Sequence, residues 1–189
     1  MLVPCVELNI INTLKPGKNP PHEINAVIEI PQGSSIKYEI DSESGALFVD
    51  RKLFTAMVYP SNYGFIPQTE EDDGDPLDII VLGNDPVVPM SIIRAHPIGV
   101  LLTEDEEGRD SKIIAVPIKK LDPSLSFITD ISSIPEHVRD QIKHFFEHYK
   151  ELEKGKYVKV IGWKDKEVAM RKISEAIERY KKELRSKAP

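Results

Sequence analysis

The sequence predicts an α+β protein, mainly β, with its strands gathered in the first two-thirds of the chain and its helices in the last third. Two observations carry that prediction. Thirteen of the fifteen prolines lie at or before residue 123, where they and the glycines separate short β-branched runs at 26–30, 36–41, 46–50, 78–82, 91–102 and 113–119, and a further run follows at 157–163. Short strands joined by frequent turns are the pattern of a small barrel or a strongly bent sheet. Beyond residue 133 the apolar residues fall instead into helical spacing.

The strands come first. In Ile36–Asp41, alternation puts Ile36, Tyr38 and Ile40 on one face and Lys37, Glu39 and Asp41 on the other. Ser42-Glu43-Ser44-Gly45 reads as a hairpin turn, with Gly45 free to take positive φ, and it leads through 46–50 to Arg51. In the last third, Ser133-Ile134-Pro135-Glu136 reads as a capping box with proline in the first turn. Val138, Ile142, Phe145, Phe146, Tyr149 and Leu152 follow at helical spacing, and Gly155 marks the stop. A second helix over 165–187 places Met170, Ile173, Ile177, Tyr180 and Leu184 on one stripe. Both helices are expected to pack outside the sheet.

Composition bounds the function. The 189 residues suit one domain, 1–189, and the formal charge of −6 disfavours nucleic acid and anionic membrane as partners, since both demand a basic footprint. The single cysteine, Cys5, excludes an internal disulfide framework and suits a reducing compartment. The first residues carry no secretory signal pattern, and no apolar run approaches the roughly 18 residues of a membrane helix. A soluble cytoplasmic protein is expected.

The densest group of reactive side chains is Glu70-Glu71-Asp72-Asp73-Gly74-Asp75-Pro76-Leu77-Asp78. Acids this close repel one another unless cations or solvent compensate. Gly74 and Pro76 bend the backbone between the aspartates, and Asp78 opens an apolar strand, so its carboxylate is anchored near the core. Hard oxygen ligands held in this way suit Mg²⁺ or Mn²⁺. A calcium loop does not fit, because counting from Asp73 the positions that need Gly and Glu are Asp78 and Asn84. Glu104-Asp105-Glu106-Glu107-Gly108-Arg109-Asp110 reads by itself as a solvated hairpin tip, and paired with the first cluster it completes a site for several metals. His144-Phe145-Phe146-Glu147-His148 matches the H-x-x-E-H zinc peptidase pattern. Its histidines project away from the helix's apolar stripe, however, whereas a peptidase zinc site lies in a cleft beside the core. Tyr59 and Tyr63, in a stretch bounded by proline and glycine, are packing residues or donors to phosphate oxygens.

Asp73-Gly74-Asp75-Pro76-Leu77-Asp78-Ile79 resembles the signature of the soluble family I inorganic pyrophosphatases. Val27–Pro31, Ile36–Asp41, Gly45–Arg51, Tyr59–Gly64 and His144–Gly155 resemble the bacterial branch of that family in the same order, so the likeness runs from about residue 10 to 163. It implies a five-stranded OB-like barrel with two C-terminal helices packed outside. It also implies metal-dependent hydrolysis of pyrophosphate to two phosphates. Asp73, Asp78 and Asp110 would hold the first metal, with Asp78 reaching a second; Asp105 and Asp110 would hold one that arrives with substrate. Glu39 would contact another, with Glu29 nearby. The metal would be Mg²⁺, several per site, with Mn²⁺ or Zn²⁺ as substitutes. Asp75 would be the general base. Lys37, Arg51, Tyr63, Tyr149 and Lys150 would bind the phosphates, supported by Tyr59 and Lys112. The competing expectation is an OB-fold module for single-stranded nucleic acid without hydrolase activity, which needs a basic groove with stacking aromatics.

The resemblance also implies a homo-oligomer, commonly a hexamer. His137, His144 and His148 project onto one outward helix face, and an outward face of neutral imidazoles suits a subunit contact. Imidazole takes up a proton near pH 6.5 when unperturbed, so acidification places like charges in such a contact. The assembly is expected to be intact at pH 7.5 and to dissociate toward pH 5 before the subunit unfolds, with His144→Gln and His148→Gln altering that dependence. Sedimentation velocity checks it; equal stability at both pH values in all three proteins would remove the histidines from the contact.

Overall fold

A ring of five hydrogen-bonded strands organises the chain, seen in a computed structural model that describes residues 9–106 and 108–187. The elements in order are α1 (Ile10–Thr13), β1 (Ile24–Ile30), β2 (Ile36–Ile40), β3 (Leu47–Lys52), β4 (Asn62–Phe65), β5 (Asp78–Val81), β6 (Ile92–Asp105), β7 (Gly108–Pro117), α2 (Glu136–His148), β8 (Val158–Lys164) and α3 (Lys166–Lys187). The sheet order is β1-β4-β5-β7-β6-β8, and β1 also pairs with β6, which closes the ring. The result is mixed α+β and mostly strand, though the ring is not evenly barrel-shaped.

The unevenness comes from β6. Its first residues, Ile92–Ala95, pair with β1, while Val100–Asp105 pair with β8, and β7 follows it along both parts. The register of β6 against β7 shifts between Pro97 and Gly99. Proline cannot donate to a ladder, and Gly99 has no room for a side chain, since a Cβ there would lie 2.8 Å from Lys164 O. The strand therefore bends and serves two partners in succession.

Strands buried on both faces explain the near-continuous apolar runs in the sequence. Ile79, Val81, Ile113 and Ala115 face one cluster, which α3 covers with Ala169, Ile173, Ala176 and Ile177. Ile80, Leu82, Ile114 and Val116 face the other, which α2 covers with Ile142, Phe145 and Phe146. The helices thus pack on different clusters of the sheet.

Several expectations are corrected. The stripe of α3 is rotated from the one expected: Ala169 and Ala176 are buried, Met170 is half-buried and Leu184 is exposed. Small alanines let the helix approach the sheet closely, so they take the contact. The capping box does not form. Ser133 ends a 3-10 turn, Ile131–Ser133, capped by Asp130, and Pro135 is the residue that precedes α2. The helix stops at His148, because the chain turns through Glu151 N to His148 O and Glu153 N to Lys150 O, and Leu152 lies in solvent. Two elements were unforeseen, α1 and β4. His137 and His144 are exposed on α2, and the rings of His144 and His148 stack 4.3 Å apart with His148 Nδ1 2.8 Å from His144 O. Among the described residues these histidines belong to no group of three metal-binding side chains, and they stand apart from the apolar face of Ile142, Phe145 and Phe146, as the projection indicated. Cys5 lies outside the described residues. Among those residues no helix is long and apolar enough to cross a membrane.

Gly64, in the middle of β4, tests the ring's tightness. A Cβ there would sit 1.8 Å from Val27 O on β1. Gly64→Ala is expected to cost about 3 kcal/mol, read as a lower urea midpoint at unchanged slope. An unchanged midpoint would show that β1 and β4 can separate freely.

Candidate active site

The site is built by strand register. β5 and β7 run parallel with Ile79 opposite Ile113, so the preceding residues, Asp78 and Lys112, come side by side. Alternation on β7 places Asp110 on the same face as Lys112, and β4 sets Tyr63 opposite Ile80, one diagonal step from Asp78. The Lys112 ammonium consequently meets Asp78 Oδ2 at 2.7 Å, Asp110 Oδ2 at 2.6 Å and Tyr63 OH at 3.1 Å. Tyr63 OH itself donates to Asp78. Aromatic rings close the lysine in, with the Tyr63 and Phe146 centroids 5.4 and 5.2 Å away.

Burial decides the protonation of this group. Lys112 is 4 % exposed along its side chain. Burial works against its charge, yet the carboxylates of Asp110 and Asp78 hold its pKa well above the usual lysine value. Burial pushes the Asp78 carboxyl upward, with Lys112 opposing. Tyr59 and Tyr63 are raised well above the normal phenol range by burial, and Tyr149 is raised by the same cause, so all three stay protonated donors at neutral pH.

The second acidic group is not a loose hairpin tip. β6 runs through to Asp105 and β7 starts at Gly108, with Asp105 paired to Gly108 and Thr103 to Asp110. Asp105 and Asp110 are therefore carried on strands. Lys150, just past the end of α2, donates to Asp105 Oδ2 at 2.9 Å. Lys37 and Arg51 are cross-strand partners on β2 and β3. Lys37 pairs with Glu39 and lies 3.3 Å from Asp50. The Glu29 carboxyl, which accepts from Ile40 N at 2.8 Å, is pushed up to about 8 by burial.

A cavity of about 560 Å³ gathers these groups. Asp73, Asp75, Asp78, Asp105, Asp110, Glu29, Glu39, Lys37, Lys112, Lys150, Tyr59, Tyr63 and Tyr149 all line it. Arg51 does not line it; its Nε lies 3.1 Å from Glu153 Oε1 and its other end is paired with Asp50. Sequence reasoning passed over three further lining residues with charged side chains: Glu71, Asp41 and Arg109. Each lay inside a segment already marked as acidic or polar, but neighbours alone do not reveal which side chains turn inward.

The donors are hard oxygens in excess over the cations beside them, which fits a divalent ion of the Mg²⁺ class in kind and in charge. Among the described residues no three carboxylates, histidines or cysteines already converge as a coordination sphere. Instead, lysine ammonium groups bridge Asp78 to Asp110 and hold Asp105.

The sequence profile of the family described as inorganic pyrophosphatase matches residues 26–181. The chain belongs to the inorganic pyrophosphatase family. It is 60% identical over 169 residues to the inorganic pyrophosphatase of Aquifex pyrophilus, covering 89% of this chain and 96% of that one. It is 57% identical over 168 residues to that of Saccharolobus solfataricus, covering 89% and 98%. The crystal structure of the Thermus thermophilus inorganic pyrophosphatase superposes with a TM-score of 0.88 at 46% identity over 92% of this chain and 99% of that one. The Helicobacter pylori pyrophosphatase does so with 0.83 at 49% over 85% and 94%. Bacterial and archaeal pyrophosphatases are therefore both near this chain, a wider set than the bacterial branch that the motifs suggested.

Lys112→Met removes the counter-ion from two facing carboxylates. The variant is expected to lose about 3 kcal/mol at pH 7 in EDTA. Because burial raises the Asp78 pKa in the folded state, the folded protein takes up that proton first as pH falls, so the deficit shrinks on acidification. Denaturant titrations from pH 7 to 4 check this; wild-type stability at pH 7 would show that Lys112 is not the counter-ion.

Proposed function

We propose that this chain hydrolyses inorganic pyrophosphate to two phosphates with a metal-assisted water, the reaction for which its family is named. The observation that carries the reading is one cavity with both charge signs on its walls, six aspartates beside Lys37, Lys112 and Lys150. Pyrophosphate is a polyanion, so aspartates alone would repel it, and lysines alone could not activate water.

Asp73, Asp78 and Asp110 would hold the first divalent ion, Asp105 with Asp110 a further one, and Glu39 and Glu29 another; Mg²⁺ is our choice, with Mn²⁺ or Zn²⁺ as substitutes. Such ions lower the pKa of the attacking water and offset phosphate charge. Asp75 sits on a turn bent by Gly74, whose φ is +92°, and by Pro76; from there it takes the proton of the attacking water. Lys37, Lys112 and Lys150 bind phosphate oxygens as point charges, and the neutral phenols of Tyr59, Tyr63 and Tyr149 donate hydrogen bonds to them. Arg51, the cross-strand partner of Lys37, adds positive charge beside it.

We further infer that the strand ring is of the OB type, that the protein is cytoplasmic and that it assembles as a homo-oligomer, a hexamer. The acidic cavity speaks against single-stranded nucleic acid as its occupant, since that ligand needs a basic groove.

Phosphate release from pyrophosphate is expected with Mg²⁺ and lost with EDTA. Asp75→Asn is expected to lower kcat by about 10²–10⁴-fold while pyrophosphate and metal binding survive. Asp78→Ala is expected to move the metal titration to far higher concentration. Near-normal kcat in Asp75→Asn would place the base elsewhere, and an unchanged metal titration would take Asp78 out of the ligand set.

A further inference from the structure

The acidic loop between β4 and β5 is held both from within and from outside. Within it, Ile66 N donates to Leu77 O at 2.9 Å, Leu77 N to Thr69 Oγ1 at 2.9 Å, Glu71 N to Asp75 O at 2.8 Å and Gly74 N to Glu71 O at 3.2 Å. From outside, α3 reaches three consecutive residues. Glu70 N donates to Ala176 O at 3.1 Å, and Arg179 Nε donates to Glu70 O at 2.7 Å. The two terminal nitrogens of the same guanidinium lie 3.4 Å from Glu71 Oε2 and 3.5 Å from Asp72 Oδ1. One planar side chain thus meets a backbone carbonyl and two carboxylates.

Glu71 is the reason such a clamp is needed. It is only 8 % exposed, it lines the cavity, and its Oε1 meets no donor among the described residues. Burial disfavours a charged carboxyl here and raises its pKa to about 7, so the loop keeps a carboxylate at this place only where a cation faces it. Lys172 and Arg179, both on α3, are the cations that oppose this rise, against Asp72 and Asp110, which add to it. Of the two cations, Arg179 also grips the main chain, and a guanidinium can do both at once because its donors point in fixed directions.

We propose that Arg179 is a positioning residue: it anchors the loop bearing Asp73, Asp75 and Asp78 to helix α3 and so sets those carboxylates against the cavity. This rests on the reading of that cavity as the pyrophosphate site. The helix itself does not depend on Arg179, since Ala169, Ile173, Ala176 and Ile177 bury it against the sheet. Loss of the clamp therefore frees the loop without undocking the helix.

Hydrogen exchange of the full chain tests the clamp and kinetics test its purpose. In Arg179→Met the amides of Glu71, Gly74 and Leu77 are expected to exchange about tenfold faster, while those of Ile80 and Ile114 on the strands keep their rates. With pyrophosphate, kcat is expected to fall about tenfold at a KM within about twofold of wild type, because misplaced carboxylates weaken the transition state more than substrate binding. Arg179→Lys, which keeps the charge and loses the fork, is expected to recover part of both. Loop amides exchanging at the wild-type rate would overturn the proposal, and so would equal acceleration in the strands, which marks general destabilisation. Faster loop exchange with unchanged kcat would overturn it too. Failure of the wild type to hydrolyse pyrophosphate would instead defeat the functional reading, and the exchange rates would still report on the clamp.

Discussion

A buried lysine between two aspartates is the interaction on which the rest of this site depends. Lys112 can stay charged at 4 % exposure because Asp78 and Asp110 lie within 2.7 Å of it, and those carboxylates can face each other because it stands between them. Neither half is stable alone, since an unpaired charge in a low-dielectric wall costs several kcal/mol. The triad in turn fixes Tyr63, whose hydroxyl joins it, and Phe146, whose ring covers the ammonium. Through Phe146 the packing of α2 is tied to the electrostatics of the cavity.

That arrangement relies on the bend in β6. β6 pairs with β1 at one end and with β8 at the other, and its pairing with β1 is what closes the ring. Ring closure clamps β5 and β7 in parallel register, which is what sets Asp78 beside Lys112. The same long strand carries Asp105 past the ring to meet Lys150 from the end of α2. Fold and chemistry therefore share one constraint, the register shift at Pro97 and Gly99.

Much of this was legible in the residues themselves, and the failures have specific causes. Alternation placed Lys37 and Glu39 on one face, and Gly45 does turn the hairpin with φ of +66°. The acidic run Glu70–Asp78 stood out by its density, and the family resemblance picked Asp73, Asp75 and Asp78 out of it. β4 was hidden because it is four residues long, has Gly64 inside it and holds together through its neighbours rather than its own propensity. Ser133 looked like a helix cap but was taken by the preceding 3-10 turn, where Asp130 supplies the cap. The α3 stripe was misjudged because apolar size was counted, whereas close packing on the sheet selected alanine. Arg51 was expected at the end of the second hairpin strand, but its register opposite Lys37 and its ion pairs with Asp50 and Glu153 follow from the folded chain.

By itself the sequence determined the class of the fold, the turn positions, the acidic loop and the family signature, because each is written in contiguous residues and depends on local backbone chemistry or alternation. Tertiary structure decided which charges became partners. Lys112 lies 34 residues from Asp78, Lys150 lies 45 from Asp105, and Arg179 lies 109 from Glu70. Such pairings follow from strand register, ring closure and helix docking, which are set by the packing of the whole chain, and no local pattern in the residues encodes them.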